Sequence, residues 1–558
     1  MALVRRFVPA IVSALRGYRR SDLFADLGAG LTVGLIALPL AIGFGIASGV
    51  TPQQGLWTGI IASLVVALLG GSRFQVAGPT GAFVPILFSV VAVYGYGGLA
   101  LATMMAGVML IILGAFRMGR LLKFFPYPVV AGFTSGIAII IFCGQLNEFL
   151  GLGLKMPGHV PQQIAALAGH LQNINWHAFA IGALTLAIVY SWPFLTRRVP
   201  ASIVAVVIAT AVAYFAGWPV ATIDSRFGGI PAGLPGLHFP AVSLESLRDL
   251  MGPAFTIAAL GAIESLLSAM VADGMTDTRH DPNQELMAQG IANVLCPIAG
   301  GIPATGAIAR TAANIRTGAR TPVAAIIHAL VLLAVVFLAA PLAGYIPLAA
   351  LSAILLTVAL RMAELHTFVE LWRGPRADFG VLVAAFTLTV VFDLTVGVGA
   401  GLIMAVVLFL RQMEEVTHVR LITEESEDPG TGSHSIRGKD IPPDVILYRI
   451  EGPMFFAAAE KLDMALRGSG GKPRVVIFRM RSVPAMDASG LHAFEGAIEK
   501  LRRDGIEIFL TAVRPQPMKV MFEAGLAERI GLDRFCADID QALAAARELD
   551  STPASRNA

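Results

Sequence analysis

From Leu27 to Leu410 the chain is a succession of apolar runs, nearly all between 14 and 23 residues long. In hydrocarbon every backbone N–H and C=O must find a partner inside the protein, so runs of this length can cross a bilayer only as α-helices. The spans read at roughly 27–48, 55–70, 81–94, 99–116, 128–150, 178–195 and 200–217 in a first half. In a second half they read at 253–273, 285–299, 305–317, 321–340, 346–361, 378–392 and 395–411. Seven spans in each half is an odd number, so the halves are inverted with respect to one another.

Loop charge supports this arrangement. With the amino terminus inside, the cytoplasmic loops receive Arg73, then Arg117, Arg120 and Lys123, then Arg197 and Arg198, then Arg279, then Arg316 and Arg320, then Arg373 and Arg376. The outer loops receive only Lys155, Arg226 and Arg248. The alternation survives only if spans three and ten each count as one crossing.

Those two spans are interrupted in matching ways. Gly78–Ala82 reads Gly-Pro-Thr-Gly-Ala and Pro303–Ala307 reads Pro-Ala-Thr-Gly-Ala; a similar offset places Pro39 against Glu264. A proline followed by small residues predicts extended chain turning into a helix, which in the second copy starts at about Ala304 or Thr305. A helix that begins at mid-depth leaves several N–H donors and a positive dipole end unpaired. It is tolerable only where it lines a cavity and meets a partner, typically an anion. Two such starts in inverted halves face one pocket. The candidate substrate-binding residues are therefore Thr80, Gly81, Ala82 and Phe83 from the first copy. From the second come Ala304, Thr305, Gly306, Ala307 and the cation Arg310. Gln53 is either a packing polar group or a further pocket contact.

Glu264 stands near the middle of span eight, with Ser265 and Ser268 within about one turn. An ionisable residue at that depth marks an ion pathway or proton relay, so Glu264 and Ser268 are the candidates for proton or cation coupling. The bland alternative is a structural carboxylate satisfied by Arg310 or by broken backbone. His280, in a polar, turn-rich loop, reads as a local hydrogen-bonding residue. Trp57, Trp176, Trp192 and Trp218 read as interface anchors.

The composition, 56% hydrophobic and 14% charged with a net charge of +3, gives no basic patch for nucleic acid. Cys143, Cys296 and Cys536 are scattered without metal-ligand spacing, so neither a disulfide nor a metal site is expected. Residues 1–26 read as an amphipathic cytoplasmic segment and 27–411 as the transport domain, with repeats at about 27–217 and 253–411. Residues 412–441 read as a linker. Residues 442–550 change to a soluble α/β pattern. Strands are expected at Val445–Ile450, Arg474–Phe478 and Glu507–Thr511, and helices at Ala457–Leu466, Gly490–Asp504, Pro517–Gly525 and about Asp538–Leu549.

Phe74–Ala82 (Phe-Gln-Val-Ala-Gly-Pro-Thr-Gly-Ala), Glu264, Asn283–Leu286, Gly300–Arg310 and Asp487-Ala-Ser-Gly490 together resemble the SulP family of anion transporters, also called the sulfate permease and prestin family, over nearly the whole chain. The resemblance implies a polytopic α-helical membrane protein of 14 spans, built as two inverted 7-span repeats divided into core and gate. It also implies a small carboxy-terminal α/β STAS domain, a homodimer, and a pocket between spans three and ten. Arg310 matches an arginine that some members place beside the anion. Glu264 matches the acidic position of the coupling cation, an aspartate in sodium-dependent bicarbonate members, and the departure favours a proton over sodium. The surroundings of Arg310 look most like bacterial dicarboxylate-type members, with sulfate in close competition. Ser489 occupies the position phosphorylated in STAS-type anti-sigma-factor antagonists, or else joins Asp487 in capping the helix that opens at Gly490.

The expected function is secondary active transport of a small anion, as proton-coupled symport of a C4-dicarboxylate or sulfate, in the lipid bilayer of a bacterial inner membrane. The amino terminus and the STAS domain would be cytoplasmic, the latter with an unidentified partner. Sodium-coupled bicarbonate uptake, anion exchange and channel-like conduction are the alternatives. No cofactor and no enzymatic activity are expected, since no nucleophile with a neighbouring base and no nucleotide-binding loop occurs.

Overall fold

Helix follows helix through the apolar runs, and in the computed structural model their order reproduces the two inverted halves. Residues 8–119, 126–196, 199–231, 233–392, 394–416, 418–422, 439–455, 461–462, 464–465 and 473–551 are described. They divide into two compact units, Met1–Ala405 and Val406–Ala558.

In the first unit α1 (Arg20–Ala47) and α2 (Pro52–Leu69) lead into the two-residue strand β1 (Ala77–Gly78) and a 3-10 turn at Gly81–Phe83. The next helix, α3 (Val84–Ala115), has 32 residues and would rise about 48 Å, too long for one crossing. Gly95, at φ 67° and ψ −175°, breaks it into the two expected spans, a conformation that glycine adopts without strain. After α4 (Tyr127–Phe149), α5 (Trp176–Leu195) and α6 (Ala201–Phe215), the second half repeats the plan with α7 (Met251–Thr276) and α8 (Pro282–Ile298). Then come β2 (Thr305–Gly306), α9 (Ile308–Arg316), α10 (Val323–Leu338), α11 (Leu348–Met362), α12 (Arg376–Val391) and α13 (Leu394–Val416). Seven helices among the described residues are long and apolar enough to cross a membrane. The nine residues of α9 rise only about 14 Å, which makes it a half-helix.

Packing separates the unit into core and gate. Helices α1, α2, α3, α7, α8, α9 and α10 pack mainly with one another, and α4, α5, α6, α11 and α12 form the second group. Asp26, fully buried on α1, ties the core together at the α9–α10 turn by accepting from the backbone N–H of Arg320 (2.7 Å) and Thr321 (3.1 Å). Trp57 is also core rather than an interface anchor, at 4% exposure among Leu56, Ile60 and Leu332.

The second unit is an α/β sandwich. Its sheet has the order β3 (His418–Ile422), β4 (Val445–Glu451), β5 (Val475–Ser482), β6 (Glu507–Thr511), β7 (Phe535–Cys536), with β3 antiparallel and the others parallel. Alternate residues feed opposite faces, as the strand period requires. Tyr448, Phe478 and Leu510 meet α14 (Ala488–Arg503) at Phe494 and Ile498, whereas Leu447, Ile477 and Phe509 meet α16 (Ile539–Ser551) at Ile539 and Leu543. Helix α15 (Pro515–Glu523) lies between β6 and β7 in sequence. The stretch 412–441, expected as a linker, thus includes the end of α13 and the edge strand β3, while 423–438 lies outside the described residues. So do Asp393, Arg120, Lys123, Arg197 and Arg198, and most of the helix expected at Ala457–Leu466.

Candidate functional site

The two interrupted segments meet. β1 and β2 pair antiparallel, Ala77 opposite Gly306 and Gly78 opposite Thr305, so the chains cross in opposite senses and the half-helices that follow leave in opposite directions. Neither start is capped by a side chain: Thr80 precedes the 3-10 turn and Ala307 precedes α9, both with extended backbone. The second start differs from expectation. Thr305 and Gly306 remain extended and the helix begins at Ile308, because strand pairing and α7 claim their polar groups. The Gly306 N–H donates to Ser265 Oγ at 3.1 Å and the Thr305 hydroxyl donates to the Gly261 carbonyl at 3.1 Å.

Extended chain inside a membrane protein must be satisfied by neighbours, and here side chains from four helices do so. Ser63 on α2 donates to the Ala77 carbonyl (2.6 Å). From α9, Thr311 accepts from the Val76 N–H (3.1 Å) and Asn314 donates to the Phe74 carbonyl (3.0 Å). In the second copy Asn293 on α8 grips Ala304 at both its N–H (2.9 Å) and its carbonyl (2.8 Å), and Thr58 accepts from the Ile302 N–H (2.7 Å). Arg310, 3% exposed, reaches from α9 across to the first segment, donating to the Pro79 carbonyl and, at 3.5 Å, to that of Ala77.

Glu264 joins this junction. Its carboxylate accepts from the Thr80 hydroxyl at 3.1 Å, and both residues are half-buried, unlike the fully buried strands beside them. Arg310 spends its hydrogen bonds on carbonyls of the first segment rather than on this carboxylate. Ser268 does not turn to Glu264; it donates to Thr311 Oγ1 at 3.0 Å and fastens α9 to α7. Phe83 is 1% exposed and faces Gly261 of α7, while Gly81, Ala82, Ala304 and Ala307 are buried around the strand pair. Gln53 stands apart in the first turn of α2, with no hydrogen bond to these residues among those described. A recess of about 170 Å³ begins just past the first half-helix start, at Val84 and Pro85, and includes none of Thr80, Glu264 or Arg310.

In the second unit Ser489 is exposed on the first turn of α14, and Asp487 caps that helix by accepting from the Gly490 N–H at 2.7 Å. His280 bonds to Asp273, its Nδ1 at 2.7 Å, as a local residue of the loop.

A family model described as the sulfate permease family matches residues 23–385. The chain belongs to the sulfate permease family. As a member it is a membrane anion transporter and not an enzyme, and a STAS domain model matches residues 439–542. It is similar to YvdB of Bacillus subtilis, which is named as a sulfate transporter, at 40% identity over 93% of this chain and 97% of that one. It is also similar to the bicarbonate transporter BicA of Picosynechococcus, at 31% identity over 93% and 94% of the two chains. The solved structure of the murine Solute Carrier 26 family member A9 anion transporter shares the fold, with a TM-score of 0.86 and 19% identity, covering 98% of this chain and 95% of that chain.

Gln75, Asn293 and Thr311 did not stand out in the sequence as part of this junction. Glu285 lies within the Asn283–Leu286 stretch, and Gln75 within Phe74–Ala82, and neither stretch carries a local signal for what these side chains touch.

Proposed function

We propose that this chain is a secondary active symporter that moves a small oxyanion of the sulfate class together with a proton. The observation that carries the reading is the Thr80–Glu264 bond, which joins an uncapped half-helix start to a half-buried carboxylate beside a buried arginine. Two uncapped starts with Gly81 and Ile308 as their first residues, plus Arg310, supply positive potential and N–H donors suited to an oxyanion. Thr80, Gly81, Ala82, Ala307 and Arg310 would contact the anion, and Phe83 would wall the pocket.

Glu264 would carry the coupling proton. A metal cation would need several further oxygen ligands, and the Ser265, Ser268 and Thr305 hydroxyls are already engaged with each other, with Thr311 or with backbone.

The names of the relatives support sulfate first and bicarbonate second. The C4-dicarboxylate reading rests on the residues around Arg310 alone. The amino terminus and STAS domain would be cytoplasmic, the assembly a homodimer, and the STAS domain a docking point for a cytoplasmic partner. The division into 1–26, 27–411, 412–441 and 442–550 belongs to the same reading.

The test is uptake of labelled sulfate, bicarbonate and succinate into proteoliposomes with and without an inward proton gradient. Sulfate accumulating above equilibrium only with the gradient is the expected outcome. Accumulation that follows a sodium gradient instead would replace the proton with sodium, and equal flux with or without either gradient would replace symport with a passive route.

A further inference from the structure

One buried carboxylate takes no part in the mechanism above. Glu285, fully buried on α8, accepts four hydrogen bonds. The N–H groups of Gly71 (2.9 Å) and Ser72 (3.1 Å) reach Oε2, and the side-chain amides of Gln75 (3.0 Å) and Gln289 (3.3 Å) reach Oε1. None of these donors is a cation. Four N–H groups converge on its two oxygens and hold the carboxyl group rigidly in place.

Gln75 passes that rigidity on. Its Nε2 also donates to the Ser265 carbonyl on α7 at 3.0 Å, one residue from Glu264. The same amide lies directly over β2, since a Cβ added at Gly306 would fall 1.9 Å from Nε2. Ser265 in turn meets Thr305 Oγ1 at 2.8 Å and accepts from the Gly306 N–H. A single side-chain amide therefore touches α8, α7 and β2 while sitting five residues upstream of Thr80.

We propose that Gln75 and Glu285 are positioning residues that fix the segment bearing Thr80 against the segment bearing Glu264, and so set the geometry of the Thr80–Glu264 contact. Neither touches the solute. The inference rests on the reading of Glu264 and Thr80 as the transport site. Removing either partner leaves the polar groups of the other buried without their bonds and lets α7 and β2 drift relative to the first half-helix.

The test uses the full-length protein in detergent and the variants Q75A and E285Q, each with and without E264Q. Anion affinity is read from the sulfate-induced rise in unfolding temperature, with bicarbonate and succinate in parallel. Hydrogen exchange is followed over residues 305–306. If the pair acts through the site, Q75A and E285Q weaken binding about 10-fold when Glu264 is present and less than about 2-fold when it is already Gln, the non-additivity expected of coupled residues. The same loss in both backgrounds would make the pair merely structural and overturn the proposal. Should the parent protein be stabilised by none of the three anions, the functional reading fails instead. Exchange then still decides: faster exchange at 305–306 in Q75A and E285Q supports the brace, and unchanged protection overturns it.

Discussion

Gly306→Ala is the smallest perturbation that probes the packing of the junction. The new methyl would sit 1.9 Å from Gln75 Nε2, 2.6 Å from its Cδ and 3.2 Å from Ser265 Cα. To reach van der Waals separation the amide must retreat by about 1.5 Å, which breaks its bonds to Glu285 and to the Ser265 carbonyl, both 3.0 Å long. A hydrogen bond to a carboxylate contributes roughly 1.5–3 kcal/mol and a neutral one about 1 kcal/mol, so the substitution should cost about 2.5–4 kcal/mol. The assay is unfolding of the purified protein in mixed micelles of rising denaturing-detergent content. In a Q75A background the obstructing amide is absent, and Gly306→Ala should then cost less than about 1 kcal/mol. An equal cost in both backgrounds, or no cost in the parent, would refute the packing argument.

Other consequences are separately measurable. Arg310→Lys keeps the charge but replaces a fork that spans two carbonyls with a single ammonium, so the anion KM should rise at least about 10-fold while the protein still folds; an unchanged KM would place Arg310 outside the pocket. In the tail, Asp487→Ala removes the cap on Gly490 and should cost about 1 kcal/mol. Ser489→Ala, at an exposed position, should stay within about 0.5 kcal/mol in the same unfolding assay. The Arg474 guanidinium, hydrogen-bonded at 2.6 Å, holds the Asp444 carboxyl below its ordinary value of 3.8. A lowered carboxylate pKa stabilises the folded tail fully above that ordinary value and loses its contribution as pH falls through the lowered one. Asp444→Asn should therefore flatten the acid limb of tail unfolding below about pH 4, by no more than about 0.5 kcal/mol for so exposed a pair.

The spans and the two broken segments were legible in the sequence because both signals are local. An apolar run reports burial in lipid wherever it occurs, and Thr-Gly-Ala after proline at Thr80 and Thr305 reports interrupted helix twice. Gly95 within one continuous helical assignment still marks the boundary that run length alone places between spans three and four. What escaped was everything set by distant partners. Two-residue strands carry no pattern of their own, so the pairing of Ala77–Gly78 with Thr305–Gly306, and hence the helix start at Ile308, depended on residues more than 200 positions away. Glu285 and Gln75 meet across 210 positions, and Asn293 chooses Ala304 only once α8 has folded beside it. Trp57 looked like an interface anchor by type, yet its neighbours on α10 and α11 bury it. In the tail, the five residues His418–Ile422 join the sheet edge by pairing with β4, more than twenty residues later.

The measurement that bears most directly on the central claim is gradient-driven sulfate accumulation in proteoliposomes by the parent protein and by Glu264→Gln, with exchange flux followed in the same vesicles. If Glu264 carries the coupling proton, the variant loses accumulation under an inward proton gradient while retaining exchange of labelled for unlabelled sulfate. Undiminished accumulation by Glu264→Gln would show that the carboxylate only anchors Thr80, and would contradict the account.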